Sequence, residues 1–134
     1  MSRHEAILRR QIESISSGAW EKLDRLDALS AAISSRIVAV ILEFACTAQS
    51  IGAISAGREA FERLPREWLA THLEAIVETA LDLMDEWSYR RFLELLAGSM
   101  PDMFDRYVNS GLTSKSVDIA SAADDLRLRA RSGD

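Results

Sequence analysis

The stretch that decides the fold runs from Pro65 to Met84 and reads PREWLATHLEAIVETALDLM. Its apolar residues Leu69, Leu73, Ile76, Val77, Ala80, Leu81 and Met84 recur every three to four positions, the spacing that returns side chains to one face of an α-helix. A strand would bring them back every second residue. Pro65 suits the first turn, where its missing N–H would have had no helical partner. On a second face Glu67, Glu74, Glu78 and Asp82 recur at helical intervals and form an acidic ridge.

The same period extends downstream. After a short turn at Asp85–Glu86, residues 87–97 read as a partner helix that buries Tyr89, Phe92, Leu93 and Leu96 and pairs Arg90 with Glu94 at i,i+4 on its wet side. Gly98–Ser99 is expected to stop it. Following Pro101, Met103, Phe104, Tyr107 and Val108 make a short amphipathic helix that Asn109–Ser110–Gly111 should end, with glycine at the left-handed C′ position. A last helix begins near Ser114, burying Val117, Ile119, Ala122, Ala123 and Leu126, and 130–134 reads as a flexible tail.

Upstream, the first helix covers 3–16 with Ile7, Leu8, Ile12 and Ile15 inward. Ser16–Ser17–Gly18 breaks it before a second helix over 19–33, which buries Trp20, Leu23, Leu26, Leu29 and Ile33. Ser34–Ser35 then caps a third, 35–49, whose apolar residues occur on nearly all sides and so place it centrally. In 51–64 the inward residues are Ile54, Phe61 and Leu64, with Gly57 on the same face where a neighbouring helix could approach closely. With only two prolines and six glycines between these runs, an all-α fold is expected and strands are not.

A shift of about 31 residues superposes Leu69 on Met100, Leu73 on Phe104, Val77 on Val108, Leu81 on Leu112 and Leu95 on Leu126. Residues 107–123, YVNSGLTSKSVDIASAA, add turn chemistry: a helix ends in a short polar turn, and the Asp118–Ile119 pair opens the next. This stretch resembles a HEAT-like repeat, with Ala120 standing where that family often places arginine. The resemblance covers roughly Pro65 to Arg129, with Ile37 to Leu64 as a degenerate earlier pair. It implies a short right-handed α-solenoid of helix pairs over 35–129, capped by an N-terminal helical element, 1–33, within one all-helical domain spanning 1–134. A compact helical bundle is the alternative. HEAT-like proteins are mainly binding scaffolds, so the resemblance also implies a binding role.

Composition limits the function classes. Hydrophobic residues at 48% make the chain too apolar for intrinsic disorder, and 134 residues suffice to bury a core without disulfides or metals. The longest apolar run, Ile37 to Leu42, is interrupted at Glu43 and falls far short of the roughly 20 residues that span a bilayer. Met1 to Arg10 lacks the apolar core of a secretory signal, and the single cysteine, Cys46, sits in the most apolar stretch and suits a reducing compartment, so a cytoplasmic location is expected. A net charge of −5 disfavours bulk nucleic-acid binding, which needs a concentrated basic surface.

Catalytic chemistry has no visible carrier. His4 and His72 lack the Glu-x-x-His partner of helical dimetal sites, and there is no phosphate loop, nucleophile elbow or zinc spacing. Glu74 with Glu78, or Asp124 with Asp125, could act as acid and base only if buried with split pKa values, and their helical positions argue for exposure. A non-enzymatic chain without cofactor or metal is therefore expected.

The leading expectation is a protein-binding module acting as an adaptor or inhibitor, of which small acidic inhibitors such as bacterial immunity proteins are one subclass. Its partner, another protein with a basic surface, would meet the Glu67, Glu74, Glu78 and Asp82 ridge or the Arg90, Arg91 and Glu94 helix. In the solenoid reading that helix shares a surface with Arg58, Glu59 and Glu62. Trp68 and Trp87 would be anchors, as large aromatics dominate binding hot spots, whereas Trp20 belongs to the core. Two alternatives differ in class. A nucleic-acid-binding protein would need Arg90, Arg91, Arg127 and Arg129 to converge, and a regulatory subunit would hold a small ligand between helices or form a homodimer.

Overall fold

The computed structural model describes residues 2–132, and among these the regular structure is entirely helical. The chain divides into two compact units, Met1–Leu81 and Asp82–Asp134.

The first unit contains α1 (Arg3–Ile15), a 3-10 helix (Ala19–Ala28), α2 (Ala31–Cys46), α3 (Ile51–Glu62) and α4 (Arg66–Ala80). Helix α2 is the centre expected of it: Ile37, Val38, Ile41, Leu42, Ala45 and Cys46 are all fully buried. It packs on α1, α3, α4 and the 3-10 helix, so apolar residues around most of its circumference find partners. Helix α3 approaches α2 closely at Gly57, where a Cβ would overlap the backbone of Phe44 and Ala45, so the glycine on the inward face does admit a neighbouring helix. The C-terminus of α3 is closed by Arg66, whose guanidinium donates to the carbonyls of Leu64 at 2.9 Å and Glu62 at 3.2 Å. A cation there complements the negative end of the helix dipole.

The segment expected as an α-helix over 19–33 is instead the 3-10 helix, which ends at Ala28, with Lys22 and Arg25 outside helical backbone angles. The physical reason lies in its own spacing. Trp20, Leu23, Leu26 and Leu29 recur every third residue, and a 3-10 helix, with three residues per turn, stacks such a series on one side. Trp20, Leu23 and Leu26 are buried accordingly. The next helix consequently starts earlier than expected: Ser30 accepts the Ile33 N–H at 3.2 Å as its N-cap. Ser34, expected as a cap, is fully buried, and its hydroxyl donates to the Leu26 carbonyl at 2.7 Å.

Helix α4 stops at Ala80, short of the expected Met84, because Leu81 is extended and the Asp82 carboxylate accepts the Met84 N–H at 3.0 Å, a local turn that competes with the helix. Two expectations are corrected by that stop: Asp82 leaves the helical ridge, and Met84, expected in the core, is 63% exposed.

The second unit holds α5 (Glu86–Ser99), α6 (Pro101–Leu112) and α7 (Val117–Ser132), each packed on the other two. Asp85 caps α5 by accepting the Ser88 N–H at 2.9 Å. Tyr89, Phe92, Leu93 and Leu96 are buried as expected. Phe92 meets the Tyr107 ring edge-on at 4.9 Å. Asn109–Ser110–Gly111 does not end α6, which runs on to Leu112 with Gly111 buried beneath Tyr89. Val117 heads α7 at 81% exposure rather than in the core, since only Ile119, Ala122, Ala123 and Leu126 share the inward stripe. Of the expected tail, Ala130 to Ser132 continue α7, and Gly133 and Asp134 lie outside the described residues. No described helix is long and apolar enough to cross a membrane.

Candidate interaction site

In the second unit, the N-terminal half of α5 gathers the aromatic and cationic groups singled out in the sequence. Trp87 occupies the second helical position, outside the inward stripe of Tyr89, Phe92, Leu93 and Leu96, and remains 45% exposed. One turn later on the same face, the Arg91 guanidinium lies 4.1 Å from the centroid of its ring. Arg91 also donates to Glu94 at 3.1 Å, so the indole, guanidinium and carboxylate form one partly exposed row. Stacking restrains both long side chains before any partner arrives, which lowers the ordering entropy of a contact.

Arg90, one residue away, faces elsewhere. It donates from Nε to Glu86 at 2.8 Å and from Nη1 to Asp125 of α7 at 2.8 Å, and Asp125 is shared with Arg129 at 3.1 Å. These hydrogen bonds, the one to Glu86 foremost, raise the Arg90 pKa above its ordinary value. The expected Arg90–Glu94 pair is thus replaced on both sides: Arg90 turns back to Glu86, and Glu94 pairs with Arg91. The sequence carries a signal for Glu86, four residues before Arg90, and none for Asp125.

The four arginines that a nucleic-acid surface would need are each engaged with a carboxylate: Arg90 and Arg129 with Asp125, Arg91 with Glu94, and Arg127 with Asp124. Phosphate contacts would have to displace those pairs.

Three residues of the acidic ridge belong to the first unit, and Asp82 begins the second. Glu67, Glu74 and Glu78 are exposed along α4, and Asp82 stands beyond the helix end. Trp68 is half-buried beside them, stacked on His72 with ring centroids 4.2 Å apart and planes 17° from parallel. His72 donates from Nδ1 to the Trp68 carbonyl at 2.9 Å, because a carbonyl can only accept. Trp68 and His72 were named separately from the sequence and their pairing was missed; the i,i+4 spacing is the available signal for it. Among the described residues, no three His, Cys, Asp or Glu side chains converge as a metal site would need. Trp20, assigned to the core from its stripe, is 7% exposed, with Arg63 donating to its carbonyl at 2.7 Å and lying 5.2 Å over its ring.

Set against known protein families, curated proteins and solved structures, the chain matches none.

Proposed function

We propose that this chain is a non-catalytic protein-binding module, an adaptor or inhibitor, that engages its partner through the Trp87–Arg91–Glu94 row of α5. The observation that carries this reading is an exposed tryptophan with a guanidinium 4.1 Å from its ring centroid. Tryptophan and arginine are the side chains most often found to dominate protein interfaces, and here both are offered at the surface of a well-packed helix. Met84, three residues before Trp87 in the chain, is 63% exposed, and Arg91 with Glu94 provides a mixed polar rim. Mixed charge favours register with a protein surface over a phosphate track.

The architecture we favour is a short HEAT-like array of helix pairs. Three features support it. The shift of 31 residues carries Glu86, the first residue of α5, onto Val117, the first of α7. In four of the five apolar matches, Leu69/Met100, Leu73/Phe104, Val77/Val108 and Leu95/Leu126, both members are buried. Within the first unit, α1 lies against α3 and α2 against α4, the alternating neighbours of a stacked array.

Affinity co-purification of the tagged chain from its native cells tests the binding role. A protein retained by the wild type and by the remote control Asp27→Lys is expected to be lost from Trp87→Ser and Arg91→Glu. Equal recovery with all four proteins would overturn the assignment.

A further inference from the structure

A groove between α6 and α7, in the second unit, carries charged side chains in its own lining. It encloses about 610 Å3, within the roughly 300–1,000 Å3 of pockets that hold small molecules. Phe104 and Val108, one turn apart on α6 and both buried, give it an apolar floor, and Ala130 of α7 adds an apolar edge. Asp105 and Asn109, the residues that follow those two in the chain, are exposed and also line it. From α7 come Arg127 and Arg131.

Basic side chains late in a helix complement its dipole whichever way they point, so their direction is informative. Arg129 turns to Asp125, whereas Arg127 and Arg131, four residues apart, both line the groove. Cβ atoms at that spacing stand about 5–6 Å apart, near enough for two guanidiniums to hold one carboxylate. Arg127 donates from Nη2 to Asp124, and its buried Nε–H has no acceptor among the described residues. A guanidinium has five N–H donors, so a small anion in the groove can share Arg127 with Asp124. The two arginines outweigh Asp105 and leave the lining net positive, in a chain whose net charge is −5. That excess matches a single negative charge, and the Asp105 carboxylate opposes a second.

We propose that this groove is a binding site for a small monocarboxylate with an apolar body. Arg127 and Arg131 hold the carboxylate, the apolar body lies over Phe104 and Val108, and the Asn109 amide meets a polar substituent at the rim. An apolar bed with a few converging polar groups is how small-ligand sites combine affinity with a fixed orientation. The site does not depend on the Trp87 row, which belongs to α5, and either reading can fail without the other.

The test is a two-dimensional amide NMR titration of the full chain with octanoate and with phenylpropionate, beside phenylpropionamide and phenyl phosphate. Saturable shifts clustered on α6 and α7 are expected with the carboxylates, and the uncharged amide should bind at least about fivefold more weakly than phenylpropionate. Arg127→Gln combined with Arg131→Gln should weaken carboxylate binding by about tenfold. Ala130→Trp fills the groove from an exposed position and should weaken it by about tenfold or more. The same spectra show that each variant is folded, and Trp87→Ser should leave binding unchanged. No saturable shift with either carboxylate, equal binding of the amide, phenyl phosphate bound as tightly as phenylpropionate, undiminished binding to either groove variant, or loss of binding in Trp87→Ser would each overturn the proposal.

Discussion

The Tyr89 hydroxyl of α5 occupies the space where a side chain at Gly111 of α6 would stand, and from there it donates to the Tyr107 carbonyl at 3.0 Å. A glycine in the last turn of a helix is thus a packing requirement, because its missing Cβ makes room for the phenol that joins α5 to α6.

Gly111→Ala should therefore destabilise the protein by about 1–3 kcal/mol, the usual range for overpacking. It should do so despite an intrinsic helix-propensity gain of about 1 kcal/mol. Gly57→Ala is expected to cost more, since its Cβ would meet the backbone of α2 rather than the end of a side chain. Urea titration of the two variants gives both values, and a stabilised Gly111→Ala would contradict the packing described.

Burial pushes the Tyr89 hydroxyl pKa up to about 12 from its ordinary 10.0. The folded state then holds this proton over a range in which the unfolded state has released it. The contribution is fully present below about pH 10 and is lost as pH rises towards 12. Tyr89→Phe should flatten the fall in Tm over that interval, whereas an unchanged slope would place the titration elsewhere.

At the other end of the pH scale, Glu13 accepts the Trp20 and Gly18 N–H groups, both at 2.9 Å, and these bonds lower its pKa below the ordinary value. Its stabilising effect is present above the usual carboxylate range and disappears as pH falls through the depressed value, because the unfolded state takes up the proton first. Thermal melts on acidification should show a shallower loss in Glu13→Gln than in the wild type. Parallel curves would dissociate Glu13 from the acid limb.

The Arg90–Asp125 pair ties α5 to α7 across a partly exposed surface, so its coupling should be modest. A double-mutant cycle with Arg90→Ala and Asp125→Ala is expected to give about 0.5–1 kcal/mol, reduced in high salt. Zero coupling at low salt would mean that this pair does not help to hold α7 on α5.

Those outcomes bear on what the chain discloses before it is folded. The inward stripes of α4 and α5 were legible because their apolar residues repeat at helical spacing, the central place of α2 because its apolar residues occur on nearly all sides, and Gly57 announced a close crossing by sitting on the inward face of α3. The 3-10 helix was read as α over 19–33 because Trp20, Leu23, Leu26, Leu29 and Ile33 also fit one broad α-helical face, although the strict every-third spacing from Trp20 to Leu29 suits three residues per turn. The end of α4 depended on the Asp82 side chain competing for a backbone N–H, which apolar patterning does not register. At the candidate site, Trp87, Arg91 and Glu94 could be named from type and spacing. Which arginine turns inward was set by Asp125, a residue 35 positions away, and the α6–α7 groove by residues on two separate helices.

The binding role is tested most directly by site-specific photo-crosslinking in native cells, with a photoreactive phenylalanine analogue placed at position 87 and, as a control, at position 27. A discrete adduct to one other protein from position 87, absent from position 27 and abolished by Arg91→Glu, is the expected result. No adduct, the same adducts from both positions, or an adduct to a second copy of this chain alone would contradict an adaptor or inhibitor acting through the Trp87–Arg91 face.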